Sequence, residues 1–227
     1  VVVSPEPWRE RWREGVAGSF KGDLESVHLL RQAARRLRVW LWLGDWQILN
    51  DDLRWLQHRA GRVRDLGLGK GIRLTGFQKW LTDELARAWE ALWTDLEHPR
   101  RRGVEEALTW MPPFAYKEAK GHLEALKHRV RRHLKAQSPE ELHILRRRIR
   151  RLRYAKEWLQ LEAEDLVRLQ DELGQLSDLR LQLRLLGAFE ARGGRVPARL
   201  QSQLAFAAFQ AQARARQAVR SWTSSFS

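Results

Sequence analysis

The sequence predicts an all-α protein built from two related antiparallel helical bundles of the four-helix type. Three observations carry that prediction: a helix-forming alphabet, prolines confined to the gaps between periodic segments, and an internal duplication. Leu, Arg, Ala, Glu and Gln are abundant while Ile and Thr are scarce, a balance that favours helices over strands. The prolines stand at 5, 7, 99, 112, 113, 139 and 197, where they start and stop helices rather than break them. Apolar residues at helical spacing predict helices near 24–43, 46–60, 73–96, 114–136, 139–160, 164–187 and 198–222. No segment alternates as a strand. At 227 residues the chain is long enough to bury a core without covalent staples.

The duplication is read directly from the residues. Val27-His28-Leu29-Leu30-Arg31 with Arg35-Arg36-Leu37-Arg38 recurs 115 positions later as Leu142-His143-Ile144-Leu145-Arg146 with Arg150-Arg151-Leu152-Arg153. A second block follows at an offset of 113: Asp52-Leu53, Leu56-Gln57, Gly61 and Asp65-Leu66 match Asp165-Leu166, Leu169-Gln170, Gly174 and Asp178-Leu179. The helix starts agree as well. Ser138-Pro139-Glu140-Glu141 has the form of a capping box with Pro at the first helical position, and Asp23 stands at the equivalent cap. Two copies of one helical unit imply pseudo-twofold symmetry, with halves of about 1–112 and 113–227.

Each repeated helix has two unlike faces. At 100° per residue, His28, Arg31, Gln32, Arg35 and Arg38 share one side, opposite Leu30, Ala34, Leu37 and Leu41. In the second copy His143, Arg146, Arg150 and Arg153 oppose Leu145, Ile149, Leu152 and Leu159, and the six arginines between 146 and 153 have no acidic residue among them. Exposed helix faces normally mix charges, because like charges one turn apart repel. A uniform stripe found twice therefore predicts an external anion. Arginine suits phosphate oxygens because its planar fork donates two parallel hydrogen bonds, and stripe residues roughly 5–6 Å apart can follow a chain of phosphates. Each histidine can add one more donor, and a neighbouring phosphate favours its charged form.

These residues, His-x-Leu-Arg followed by Arg-Arg-Leu-Arg, twice, each with a downstream Leu-x-x-Leu-Gln, Gly and Asp-Leu block, resemble the CHAD family, the conserved histidine α-helical domain. The resemblance runs from about residue 20 to 222, and Arg146–Ala155 and Leu169–Gly174 look typical of it. It implies one CHAD-like domain in which two pseudo-twofold-related bundles flank a central basic groove that binds inorganic polyphosphate. Members of the family are associated with polyphosphate granules. Carried over residue by residue, the binding positions are His28, Arg31, Arg35, Arg38, His143, Arg146, Arg150 and Arg153. Gln32, where an apolar residue is expected, and the bulky Trp40 and Trp42 depart from the family pattern without touching those arginines. Some members are fused to a triphosphate tunnel domain with a Glu-x-Glu-x-Lys strand, and this chain has no such motif.

Further cations lie on a basic face of the segment 114–136, namely Lys117, Lys120, Lys127 and Arg131, and near the C-terminal end at Arg214 and Arg220; these are candidates for additional contacts. The stretch Gly67–Gly71 lacks the glycine and Ser/Thr of a phosphate loop and reads as a connection, as does Arg100–Gly103. Asp65 and Asp178 read as caps or as ion-pair partners that orient a stripe arginine rather than as metal ligands, since no second carboxylate or histidine stands at ligand spacing in both copies. Most of the 12 tryptophans, including Trp55, Trp80, Trp89, Trp93 and Trp158, fall at core phase.

A formal net charge of +14 directs the protein to anionic partners. Inorganic polyphosphate is the expected partner, with nucleic acid the alternative. No catalytic constellation, metal site or cofactor is expected, so the protein reads as a binder and not an enzyme. The absence of cysteine removes disulfides and thiolate metal sites and fits a reducing compartment. No apolar run approaches a membrane span, and Val1-Val2-Val3 is too short for a signal-peptide core. The expectation is a cytoplasmic protein without membrane insertion.

Overall fold

The computed structural model describes residues 2–224; Val1, part of the opening valine run, lies outside the described residues. They form α1 (Glu6–Phe20), α2 (Leu24–Leu43), α3 (Asn50–Gly67), α4 (Thr75–Glu97), α5 (Pro99–Trp110), α6 (Tyr116–Arg131), α7 (Pro139–Trp158), α8 (Glu164–Glu190) and α9 (Ala198–Ser224). The all-α prediction holds. The chain divides into two compact units, Val1–Lys120 and Gly121–Ser227, and the division falls within α6. No helix among the described residues is long and apolar enough to cross a membrane.

In the first unit α2 is the central element, packed on α1 and α3. Leu30, Leu37, Leu41 and Trp40 are fully or almost fully buried, as are Leu53, Leu56 and Leu66 of α3 and Trp12 of α1. Gly15 sets the approach of α1: a Cβ there would lie 2.6 Å from the backbone nitrogen of Leu30, so only glycine allows this contact. Two short strands, β1 (Val2–Val3) and β2 (Phe114–Ala115), pair antiparallel with Val3 opposite Phe114. The Trp40 indole donates to the Val3 carbonyl at 3.0 Å and its ring lies 5.5 Å from that of Phe114.

In the second unit α8 packs between α7 and α9. Leu145, Ile149 and Leu152 of α7 are buried, as are Leu166, Leu169, Leu173 and Leu176 of α8, while α9 buries Ala208, Ala211, Ala215 and Val219. Alanine at helical spacing allows close helix approach. Trp222 pins the end of α9 by donating to Asp165 Oδ2 at 2.8 Å.

Several elements differ from the sequence prediction. Helix α1 was not predicted; it follows Pro5 and buries Trp12, Gly15, Val16 and Ser19 on a narrow face that the surrounding charges hide from periodicity. The run Arg100–Gly103, predicted as a loop, lies within α5, because Pro99 occupies the first turn and His98 caps it by accepting the Arg100 amide. Arg100 and Arg101 are then held by Asp52 and Glu105. The two strands have only two residues each and carry no alternation signal. Helix α6 ends at Arg131 rather than near 136. Gly67 closes α3, and Leu68–Gly71 forms a 3-10 turn before α4. Trp93 is 37% exposed rather than core; its indole donates to the Ser19 carbonyl and its ring stacks on Trp89.

Candidate functional site

The two basic helices start from side-chain caps, which fix the rotational phase of everything that follows. Asp23 accepts the amides of Glu25 and Ser26 at 3.3 and 2.9 Å. Ser138 accepts the Glu141 amide at 3.1 Å while Glu141 accepts the Ser138 amide at 2.9 Å, a complete capping box. Hydrogen bonding to Ser26 first, and to the helix amides, holds the Asp23 carboxyl below its ordinary range. The amides of Gln137 and Ser138 do the same for Glu141.

On α2 the apolar side is sealed as predicted: Leu30, Ala34 and Leu37 are fully buried and Leu41 nearly so. His28, Arg31, Arg35 and Arg38 are partly exposed. Arg36 is different, since it is buried with its guanidinium 4.2 Å above the Trp8 ring, and it belongs to the packing of α1 on α2. The stripe is braced by α3. Arg31 Nη1 donates to Asp65 Oδ1 at 3.1 Å, Arg64 reaches the same oxygen at 3.4 Å, and Arg38 donates to Asn50 Oδ1 and Gln57 Oε1, both at 3.0 Å. Repulsion within the stripe is thus relieved by a neighbouring helix, which spacing along α2 does not reveal.

On α7, Leu145, Ile149 and Leu152 are buried, as is Leu159 just past its end, while Arg146, Arg150 and Arg153 are partly exposed and His143 is exposed. Arg153 Nε donates to Glu157 Oε1 one turn on, at 2.6 Å. Arg148 points elsewhere. Its Nη1 donates to the Arg129 carbonyl at 2.9 Å and lies 2.8 Å from His133 Nδ1; an arginine only donates, so that nitrogen accepts. Arg148 therefore satisfies the carboxyl-terminal end of α6, the negative end of its dipole.

Both stripe histidines are pushed below the ordinary imidazole range. For His28 burial is the largest cause, followed by Arg64, with Arg35 and Arg31 adding and Glu25 opposing. For His143 burial again leads, followed by Arg146, Arg147, Arg150 and Arg184. Although the His143 side chain reaches solvent, partial desolvation of the ring and the charge of these arginines together disfavour its protonation. His28 Nε2 lies 2.7 Å from the Gln32 amide nitrogen, and a neutral ring accepts that contact. Arg64 and Arg184 are thus part of the cationic environment of the histidines, although neither has a counterpart in the repeat and neither was expected from sequence.

The remaining cations are less uniform. Lys117, Lys120, Arg131, Arg214 and Arg220 are exposed. Lys127 pairs with Glu124 at 2.8 Å, and Arg214 approaches Glu172 and Gln175 at 3.9 and 3.4 Å. Only the α2 and α7 faces repeat as a set. Among the described residues no group of three or more His, Cys, Asp or Glu side chains stands together as a metal-ligating cluster.

Comparison with known proteins adds to this geometry. The family model described as CHAD domain matches residues 7–187, from α1 to near the end of α8. Among solved structures, the crystal structure of the CHAD domain from the plant Ricinus communis superposes with a TM-score of 0.69 at 21% identity, covering 95% of this chain and 87% of that one. PptA from Streptomyces chartreusis does so with a TM-score of 0.66 at 17% identity, covering 96% and 94%. No curated protein matches the sequence.

Proposed function

The chain belongs to the CHAD domain family, and from that premise we propose that it binds inorganic polyphosphate through the histidine and arginine faces of α2 and α7. The observation that carries this reading is the matched pair of faces: in each unit a His-Arg-Arg-Arg stripe lies opposite a buried leucine face. Burial of the leucines fixes the direction of the arginines, so the cations are displayed by the core and not merely tolerated on a surface.

The chemistry of the stripe suits a dense polyanion. Each guanidinium stays charged at any physiological pH and can offer two parallel donors to a phosphate. The partners seen here, Asp65, Asn50, Gln57 and Glu157, hold Arg31, Arg38 and Arg153 in place before the ligand arrives, which lowers the ordering cost of binding. A phosphate chain then exchanges with these acceptors for the guanidinium donors.

The reading is of a binder without catalysis, acting in the cytoplasm and bringing the protein to polyphosphate granules. Nucleic acid is the competing ligand, supported by net charge and tryptophan content. Competition separates the two. Labelled long-chain polyphosphate bound to the full chain should be displaced by unlabelled polyphosphate well before duplex DNA or RNA at the same phosphate concentration and salt; the opposite order would favour the nucleic-acid reading. Incubation of polyphosphate with the protein and Mg²⁺ or Mn²⁺ should release no phosphate, and release would contradict the non-enzymatic assignment.

A further inference from the structure

Glycine is disfavoured in helix interiors because its unfolded backbone has the most freedom to lose. Yet Gly61 and Gly174 lie inside α3 and α8, at equivalent places in the duplicated block. Neither has positive φ, so the backbone does not require glycine at either position.

What occupies the space beside them is the same in both units. A Cβ built on Gly61 would have Arg31 Nε at 3.5 Å and Arg31 Cζ and Nη2 at 3.7 Å as its nearest neighbours; on Gly174 its one neighbour within 4 Å among the described residues would be Arg146 Nη2, at 3.7 Å. Arg31 and Arg146 are the first arginines of the two stripes. In each unit a guanidinium therefore lies against the bare backbone of the neighbouring helix. One turn further along α3, Asp65 accepts from Arg31 Nη1 at 3.1 Å, and Asp178 occupies the equivalent position on α8.

We propose that Gly61 and Gly174 are positioning residues for the anion-binding arginines: each is a notch in which the first arginine of its stripe lies, aligned with the arginines that follow. The proposal rests on the polyphosphate reading and deepens it, since it adds two residues of α3 and α8 to a surface otherwise assigned to α2 and α7. A methyl group fits at 3.5–3.7 Å, an ordinary van der Waals distance. A longer side chain must take the volume of the guanidinium.

The test is a pair of double-mutant cycles on the full chain, with long-chain inorganic polyphosphate as ligand. Gly61→Ala and Gly174→Ala should bind like the parent protein. Gly61→Leu and Gly174→Leu, in which leucine favours the helix, should each weaken binding about tenfold, the loss expected for one misplaced charge-assisted contact, and should flatten the dependence on salt. In an Arg31→Ala background Gly61→Leu should then have almost no further effect, and likewise Gly174→Leu in Arg146→Ala. Additive losses would show that the glycines act independently of the arginines and would overturn the inference, as would full affinity in both leucine variants. Failure of both leucine variants to fold would also overturn it, by showing that the glycines serve helix packing. If the parent protein does not bind polyphosphate, or Arg31→Ala and Arg146→Ala leave binding unchanged, the functional reading itself fails.

Discussion

His28 and His143 are the residues whose chemistry is most sensitive to conditions. Burial and surrounding arginines lower both pKa values from the ordinary 6.5, which favours the neutral ring in the unliganded protein. A bound phosphate reverses the balance and favours imidazolium. Binding is then coupled to proton uptake, and affinity for polyphosphate should rise as pH falls from neutrality toward the lowered values of the free histidines. Calorimetry in buffers of different ionisation enthalpy measures that uptake, and His28→Gln with His143→Gln should abolish it. Stability has the opposite sign. A histidine with a lowered folded-state pKa favours the native state fully above its unfolded pKa, and that contribution is lost as pH falls through the folded value. Unliganded protein should therefore lose stability as pH falls below 6.5 through the lowered folded-state values.

The arginines divide by contact rather than by sequence. Arg31 and Arg38 are tied to α3, Arg153 to Glu157 and Arg148 to the end of α6, while Arg36 packs on Trp8. Periodicity sorted Arg36 and Arg148 away from the stripes, because both lie off the angular sector shared with the histidine. The acceptor roles of Asn50 and Gln57 were not read, although Gln57 stands in the duplicated block, since which polar side chain meets which arginine depends on how two helices pack. Asp65 stood out in the repeat as a cap or an arginine partner, and it is the second, accepting from Arg31.

At the scale of the element, α2 and α7 are the helices most fully specified by local sequence. Their starts were read from Asp23 and from Ser138-Pro139-Glu140-Glu141, and both caps form as predicted. Removing the hydroxyl that closes the capping box, Ser138→Ala, should cost about 1 kcal/mol, measurable by urea denaturation of the full chain, with polyphosphate affinity reduced little. The buried face answers differently. Leu152→Ala should cost roughly 2–5 kcal/mol, because Leu152 is 1% exposed and its loss leaves a cavity in the second unit; a smaller loss would mean that the leucine face is not the support of the stripe. Helices α1 and α5 escaped prediction for a shared reason: each hides a small buried set, such as Val104 and Leu108 in α5, among arginines and glutamates.

For the whole molecule, the repeat predicted duplicated chemistry, and each compact unit carries its own capped, basic helix braced by the helix that follows it. A net charge of +14 means that any polyanion is attracted from a distance, with a rate that falls as salt rises. Contact-specific binding requires more than charge. Log affinity for polyphosphate should fall linearly with log salt, and the slope should shrink with every stripe arginine replaced, whereas replacing Arg148, which caps α6, should lower stability while leaving the slope nearly unchanged.

The most direct measurement is polyphosphate affinity of the full chain carrying Arg35→Glu in the first unit and Arg150→Glu in the second, alongside its melting temperature. A loss of about a hundredfold or more is expected, at roughly one order of magnitude for each reversed phosphate contact, with cooperative unfolding retained. Unchanged affinity in a folded double variant would contradict binding through the α2 and α7 faces.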